Sequence, residues 1–242
     1  MLRPVLASFL VLVGLAACQT SASVADNPSD TRSPSIAGGT SHTLVILRTG
    51  PRTEPLSKEE SSRYFSGHFA NMTRLANEGD LLLAGPYGGN KSADDLRGIF
   101  VLDTADRERA LELANTDPCY QAGIFKFEFH TMRTHFPLDQ SQAAERARLD
   151  AAKRAGKETP PGFGCRGYVM VTVADHNRAT ALASHDSVYL YATLDDGRAL
   201  AFVDCTNQQQ AEQLLAPLRE QLGELTIDEW FGTDLLARCV ST

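Results

Sequence analysis

The sequence predicts an α+β fold in which two tandem βαββαβ units form an intramolecular pair. The order strand, helix, strand, strand, helix, strand occurs twice between residues 42 and 230. The two copies align without gaps over long stretches, and the aligned pairs are His68 with His176, Ala84 with Ala192, Asp103 with Asp204, Ala110 with Ala211, and Ile124 with Leu225. Several strands are apolar on both faces, so both faces of the sheet must be covered. Together these features predict ferredoxin-like units whose sheets pack against each other within one chain.

Residues 42–136 are assigned to the first copy. Its first helix begins at Ser57, which has capping-box spacing with Glu60, and ends near Gly79, a residue that suits the left-handed end of a helix. Its last strand alternates strictly between apolar and polar residues. The predicted elements in order are the strand His42–Arg48, the helix Ser57–Gly79, the strands Leu81–Gly85 and Gly98–Asp103, the helix Asp106–Asn115 and the strand Ile124–Met132.

Residues 165–242 are assigned to a degenerate second copy, which a charged, Ala-rich helical linker at residues 137–164 joins to the first as a spacer. Its predicted elements in order are the strand Tyr168–Val173, the helix Asp175–Asp186, the strands Val188–Leu194 and Arg198–Asp204, the helix Asn207–Gln221 and the strand Leu225–Trp230. The loop from Tyr87 to Leu96 in the first copy is longer than its counterpart in the second. We interpret it either as a mobile lid over a pocket or as a solvated hairpin loop.

Composition and charge exclude several classes of protein. Hydrophobic residues make up 43% of the 242 residues and charged residues 22%, which excludes a disordered chain, a collagen-like fibre and a polytopic membrane protein. The net charge of -7 argues against a nucleic-acid partner, because phosphate binding requires clustered Lys and Arg. The sequence contains no Walker loop, dinucleotide fingerprint or Gly-x-Ser-x-Gly elbow. We therefore expect no cofactor.

The amino-terminal residues predict an export signal. Residues 1–17 combine a basic start, an apolar middle and small residues at the end, which is typical of a signal peptide. The residues before Cys18 resemble a bacterial lipobox, which implies cleavage and lipidation at Cys18; the alternative is an ordinary signal peptide with an incidental cysteine. Residues 18–41 are polar and predict a flexible tether. We expect a protein of the bacterial cell envelope, anchored by its lipid and facing the periplasm, and by resemblance to known lipoproteins Gln19 favours the outer membrane.

The first copy resembles the YCII-related domain family. The resemblance rests on His68, on the run from Gly79 to Pro86 (Gly-Asp-Leu-Leu-Leu-Ala-Gly-Pro) and on Asp117-Pro118, and it covers about residues 43 to 133. It implies a ferredoxin-like, dimeric α/β-barrel fold in which His68 and Asp117 form a site. Some relatives of that family are implicated in dehalogenation or resemble lactone isomerases. Gly85 and Pro86 are candidate substrate-binding residues, or a turn that ends the strand and shapes the pocket wall.

The residues themselves support a role for His68 independently. It lies on the apolar face of the first helix, where an imidazole is partly desolvated and needs a partner. A carboxylate such as Asp117 would orient the ring and leave the other nitrogen free to move a proton. Two alternatives stay open, a core histidine that only stabilises the fold and an Asp-Pro pair that only starts a turn. In the second copy Leu218 and Arg219 stand at the Asp117-Pro118 positions, so we expect one working site.

Histidines and cysteines elsewhere in the sequence give weaker signals. His130 and His135 lie near a strand end without a nearby carboxylate cluster, so we expect no metal site. Four cysteines remain besides Cys18, and two interpretations of them stay open. Cys205 and Cys239 are candidates for a disulfide, since an oxidising periplasm permits one, and free buried thiols are the alternative.

Two functions are consistent with the sequence. The first is cofactor-independent proton transfer on a small molecule, an isomerisation or an elimination, with His68 as general acid/base and Asp117 orienting it. The second is a non-catalytic envelope protein that binds a ligand or a partner through the same pocket or through the groove between the copies. Because both copies are in one chain, we expect a monomer whose only membrane contact is the lipid anchor.

Overall fold

The computed structural model describes residues 39–135, 138–159 and 164–238. The predicted signal peptide, nearly all of the tether, and the residues Cys18 and Cys239 lie outside these ranges. The elements of the first copy are β1 (Ser41–Thr49), α1 (Lys58–Glu78), β2 (Leu81–Pro86), β3 (Leu96–Leu102), α2 (Arg107–Ala114), α3 (Pro118–Gln121) and β4 (Phe125–Thr134). The capping box at Ser57 and Glu60 is present, and Gly79 ends α1 in the left-handed conformation, with φ of 90°. The predicted order of elements in the first copy is confirmed.

The helix predicted at Asp175–Asp186 in the second copy is wrong. Two 3-10 helices, His176–Arg178 and Thr180–Ser184, replace it. Only Ala179 and Leu182 are buried in this stretch, so a longer helix would gain little packing energy, and short segments of this kind commonly adopt 3-10 turns.

The second long helix of that copy is interrupted. It divides into two α-helices and a 3-10 turn, because Pro217 lacks an amide proton and its ring clashes with the preceding turn. The linker and second copy consist of α4 (Asp139–Arg154), β5 (Cys165–Val173), β6 (Val188–Leu194), β7 (Ala199–Val203), α5 (Gln208–Leu215), α6 (Arg219–Leu222) and β8 (Leu225–Thr233).

The eight strands form one antiparallel sheet in the order β2-β3-β1-β4-β6-β7-β5-β8. The two copies meet where β4 pairs with β6, from Met132 opposite Leu194 to Thr134 opposite Ala192. The outer strands β2 and β8 also come together, because Tyr87 forms a bridge with Trp230. The sheet therefore curls into a barrel formed by the two copies, and the predicted tandem arrangement is confirmed.

Alternate residues along each strand belong to two different hydrophobic cores, one inside the barrel and one outside it. In β1, Leu44 and Ile46 point into the barrel, while Val45 and Leu47 point out toward α1 and α2. In β5, Tyr168 and Met170 point inward in the same way. The barrel interior is thus filled by side chains of both copies, and each copy also has its own outer core beneath its helices. This explains why the strands are apolar on both faces.

The gap-free alignment of the copies does not extend to the last strand. The alignment that places Asp103 on Asp204 also places Leu102 on Val203, and their partners on β1 and β5 are Thr43 and Val169. In the last strands Thr43 pairs with Thr131 and Val169 pairs with Glu229, so Leu225 corresponds to Phe127 and not to Ile124. A shift by an odd number of residues exchanges the two faces of a strand, and the observed register places Leu225 and Phe127 on the outer faces of their strands.

The loop between β2 and β3 is held by the second copy. The Gly88 amide donates to the Glu229 carbonyl at 2.6 Å, and the Asn90 side chain donates to the Glu229 carboxylate at 2.8 Å. The Ser92 amide donates to Asp228, which is buried. The loop is thus not a free lid. It is a hairpin loop in which Gly89, Asn90, Ser92 and Asp94 are exposed, and its hydrogen bonds to β8 hold it where the barrel closes.

The linker helix α4 packs against both copies and is more than a spacer. Arg148 forms an ion pair with Asp234 at 2.6 Å, and Glu145 accepts a hydrogen bond from Thr233. At the other copy, Gln142 donates to the backbone carbonyl of Ala76 at the end of α1. Among the described residues, no helix has the length and apolar character needed to cross a membrane.

Candidate functional site

The structure brings His68 and Asp117 together. His68 lies on the buried face of α1, and its Nδ1 is 2.6 Å from Asp117 Oδ2. The two residues are 6% and 1% exposed, so water does not screen the contact. Because an ionised carboxylate only accepts hydrogen bonds, Nδ1 is the donor. In the neutral imidazole this tautomer has its lone pair on Nε2.

Asp117 is fixed by its position at the start of α3. Its Oδ1 caps this short helix by accepting the amides of Cys119 at 2.8 Å and Tyr120 at 3.3 Å. Pro118 occupies the first helical position, where its missing amide proton costs nothing. Gly67 lets α3 approach α1, because a Cβ there would lie 3.0 Å from Pro118 Cγ. The Asp-Pro pair therefore starts a helical turn and also orients the histidine.

Aromatic rings surround the imidazole. Phe100 stacks on it at 5.8 Å between centroids, and Phe69 and Phe125 meet it edge-on at 5.4 and 5.3 Å. Within the described part of the chain, no hydrogen-bond partner contacts Nε2. An oriented imidazole with one free nitrogen in an apolar setting can act as a general acid or base.

A small cavity lies beside the pair. Its volume is about 10 Å³, enough for about one water molecule. Its walls are mostly apolar, and the residues that line it are Val45, Asn71, Leu75, Phe100, Leu102, Leu113, Ala114, Asp117 and Phe127. Asn71 was not predicted from the sequence, although its position three residues after His68 on the same helix face was the available signal.

Cys119 completes a group of three potential metal ligands. The ligand atoms of His68, Asp117 and Cys119 lie within 4.8 Å of one another. However, Asp117 already binds His68 and two backbone amides, and the Cys119 thiol donates to the Tyr64 carbonyl at 3.4 Å. Burial, together with the Asp117 carboxylate, raises the pKa of the Cys119 thiol to about 12. A metal would have to displace these bonds and deprotonate this thiol, so the donor set fits the observed pair better than a metal.

The structure does not join Gly85 and Pro86 to the pair. The Gly85 carbonyl accepts the indole Nε1 of Trp230 at 3.0 Å, and a Cβ on Gly85 would lie 2.1 Å from the Phe231 carbonyl oxygen. Pro86 pairs with Gly98 at the end of β2. Gly85 thus serves the closure of the barrel, and Pro86 ends the pairing of β2 with β3.

The second copy has no equivalent pair among its described residues. His176 donates from Nδ1 to the Gly197 carbonyl at 2.9 Å, and Leu218 and Arg219 provide no carboxylate. The free thiols Cys165 and Cys205 lie in this copy, whereas the predicted partner Cys239 lies outside the described residues. Among the described residues, the geometry of the predicted site is therefore found in the first copy alone.

The expectation that His130 lacks nearby carboxylates is wrong. Its Nδ1 lies 3.2 Å from Asp196 and 3.6 Å from Asp195, and Arg198 donates to its Nε2 at 3.2 Å. These partners come from the turn between β6 and β7. They were missed because the pairing of β4 with β6, which is long-range in the sequence, brings them to His130.

Comparison with known proteins agrees with this description of the first copy. Residues 43–128 match the YCII-related domain, from β1 into β4. No curated protein and no solved structure matches the chain. The match includes His68 and Asp117 and excludes the second copy. The chain is thus similar to the YCII-related domain over its first copy.

Proposed function

We propose that the chain carries one small-molecule site in its first copy and transfers a proton there without a cofactor. The observation that carries the proposal is the 2.6 Å bond between His68 Nδ1 and Asp117, which leaves Nε2 as the reactive nitrogen. His68 removes or delivers the proton, and Asp117 holds the ring and stabilises the imidazolium that forms. We name isomerisation and elimination as the reaction classes because a single general acid/base, oriented by a carboxylate, can remove or deliver the proton in both.

The surroundings of His68 favour an uncharged substrate group next to Nε2. The rings of Phe69, Phe100 and Phe125 face the imidazole, and the one charged side chain in described contact with it is Asp117. A charged group placed among these rings would lose its hydration without gaining a counter-ion. Since isomerisation and elimination both remove a proton from carbon, we take the proton to be on a carbon atom next to a group that acidifies it.

Proton exchange in D₂O tests this proposal without knowledge of the complete reaction. We would incubate small carbonyl compounds and lactones with the protein and follow loss of the α-proton signals by NMR. His68→Gln should slow exchange by roughly 10²- to 10⁴-fold, the usual contribution of a general base. His176→Gln, at the aligned position of the second copy, is the matched control and should leave exchange unchanged. Exchange that survives in His68→Gln would refute the role of His68.

A non-catalytic binding protein is the second candidate, and the burial of the pair favours it. His68 and Asp117 are 6% and 1% exposed, and the adjoining cavity has a volume of about 10 Å³. In this case the pair stabilises the fold, and His68→Asn lowers the free energy of unfolding without affecting any turnover. Wild-type protein that catalyses no exchange, together with a His68→Asn variant of reduced stability, would favour this candidate.

We further propose that the chain is a monomer, anchored by a lipid on Cys18 in the cell envelope and facing the periplasm, with Gln19 favouring the outer membrane. The support is the sequence around Cys18 and the pairing of the two copies within one chain. Cys18→Ser should release the protein from the membrane fraction, and mass spectrometry should find the lipid on the wild-type chain alone. Light scattering that shows an obligate dimer would contradict the monomer.

A further inference from the structure

Asn71 projects from α1 on the same face as His68, and its amide is held in one orientation. Its side-chain oxygen accepts a hydrogen bond from Arg74 Nη2 at 2.9 Å and lies 2.9 Å from the Thr116 hydroxyl, which also donates to the Leu113 carbonyl at 2.6 Å. Because a guanidinium only donates, the Asn71 atom that faces Arg74 is the oxygen, and the NH₂ group must point the other way.

The amide nitrogen of Asn71 is buried and lacks a partner among the described residues. Asn71 is 9% exposed, and its Nδ2 contacts neither a protein acceptor nor solvent. A buried donor left in this state costs about 1–3 kcal/mol. Asn71 and Asp117 line the same cavity, whose volume of about 10 Å³ accommodates about one water molecule.

We propose that this cavity binds one water molecule, which accepts a hydrogen bond from Asn71 Nδ2 and donates one to the Asp117 carboxylate. Asp117 has the capacity for it, because a carboxylate offers about four acceptor positions and the protein fills three of them. Asn71 is then a positioning residue that acts on His68 through the water and Asp117. The proposal rests on the cavity and the unpartnered amide, so it holds whether or not His68 is catalytic.

A high-resolution crystal structure of the wild-type protein tests the water site directly. It should show one ordered water within hydrogen-bond distance of both Asn71 Nδ2 and an Asp117 oxygen. In solution, the side-chain amide protons of Asn71 should show a cross-peak to a long-lived water. A dry cavity, or an Asn71 amide that donates to a protein acceptor, would overturn the proposal.

Substitution of Asn71 tests its effect on the pair. Asn71→Leu keeps the volume and removes the donor, so the water should be lost while circular dichroism stays unchanged. Asp117 then has one donor fewer and binds His68 more strongly, which should move the His68 Nδ1 proton resonance downfield. Asn71→Ser restores a donor and should return that resonance toward its wild-type position. An unchanged resonance in folded Asn71→Leu would show that Asn71 does not act on His68.

Discussion

Replacement of Asp117 tests the geometry of the site most directly, because its two oxygens serve two different structures. In Asp117→Ala the amides of Cys119 and Tyr120 lose their cap, which costs about 1 kcal/mol. The buried Nδ1 of His68 also loses its acceptor, which costs a further ~1–3 kcal/mol. We therefore expect Asp117→Ala to lower the free energy of unfolding by about 3 kcal/mol, measured by urea denaturation.

Asp117→Asn separates the two effects. Asparagine caps helices about as well as aspartate, so the α3 cap should survive. Its amide faces His68 as a donor, so Nδ1 must become the acceptor and the imidazole proton must move to Nε2. We expect a loss of about 1 kcal/mol, since a neutral hydrogen bond replaces a charge-assisted one. Long-range ¹H–¹⁵N spectra should show the imidazole proton of His68 on Nε2 in the variant and on Nδ1 in the wild-type protein.

Two results would refute this reasoning. If Asp117→Ala and Asp117→Asn destabilise the protein equally, the cap makes no separate contribution. If wild-type His68 already carries its proton on Nε2, then the bond to Asp117 does not orient the ring.

Three further predictions follow from other residues. Gly85→Ala should lower the free energy of unfolding by about 3 kcal/mol or more, because the added Cβ would lie 2.1 Å from a backbone oxygen of β8. Gly89→Ala is the control, since its Cβ would have open space around it. Equal urea midpoints for the two variants would refute a packing role for Gly85. Burial lowers the pKa of His42 below its ordinary value of 6.5, so the unfolded chain binds a proton at this residue more readily than the folded chain does. The free energy of unfolding should therefore fall as the pH falls from about 7.5 to about 5.5. His42→Phe should flatten this pH dependence, and an unchanged slope in the variant would contradict the role of His42. Cys119, whose pKa burial raises to about 12, should resist iodoacetamide at neutral pH until urea unfolds the protein, which peptide mass mapping will show; rapid labelling of the native protein would contradict its burial.

Much of the fold could be predicted because local patterns and tertiary packing agree in the first copy. The apolar positions of β1 and β3 occur on both faces, and a barrel with helices outside buries both. The second copy was harder to predict. Asp175 caps the first helical turn, but the residues that follow bury too little surface to extend the turn into a helix. Farther along the chain, Pro217 interrupts a helix whose apolar pattern continues beyond the proline.

The candidate site was only partly predictable for a different reason. A histidine on an apolar helix face is visible in the sequence, but its acceptor lies 49 residues away and depends on how α3 docks on α1. The resemblance to a family supplied that contact. Asn71 had no such support, because an asparagine on a helix is ordinary until its oxygen is seen to be occupied and its nitrogen is not. The carboxylates near His130 likewise depend on the joint between the copies.

The two copies contribute unequally to the site, and the barrel explains why. His68 reaches Phe100 and Phe125 because α1, with 21 residues, covers the outer face of the first copy; in the second copy short 3-10 helices of 3 and 5 residues take its place. The second copy still supplies a cover for the inner face of the sheet. Trp230 and its neighbours pack on the inner face of β1 and β3, and the helices that carry the pair pack on the outer face of the same strands. Loss of that cover would expose the inner residues of β1 and β3 to water and loosen the sheet on which Phe100 and His68 rest. The second copy therefore contributes to the site by covering the inner face of these strands, and among the described residues it places no side chain against the pair.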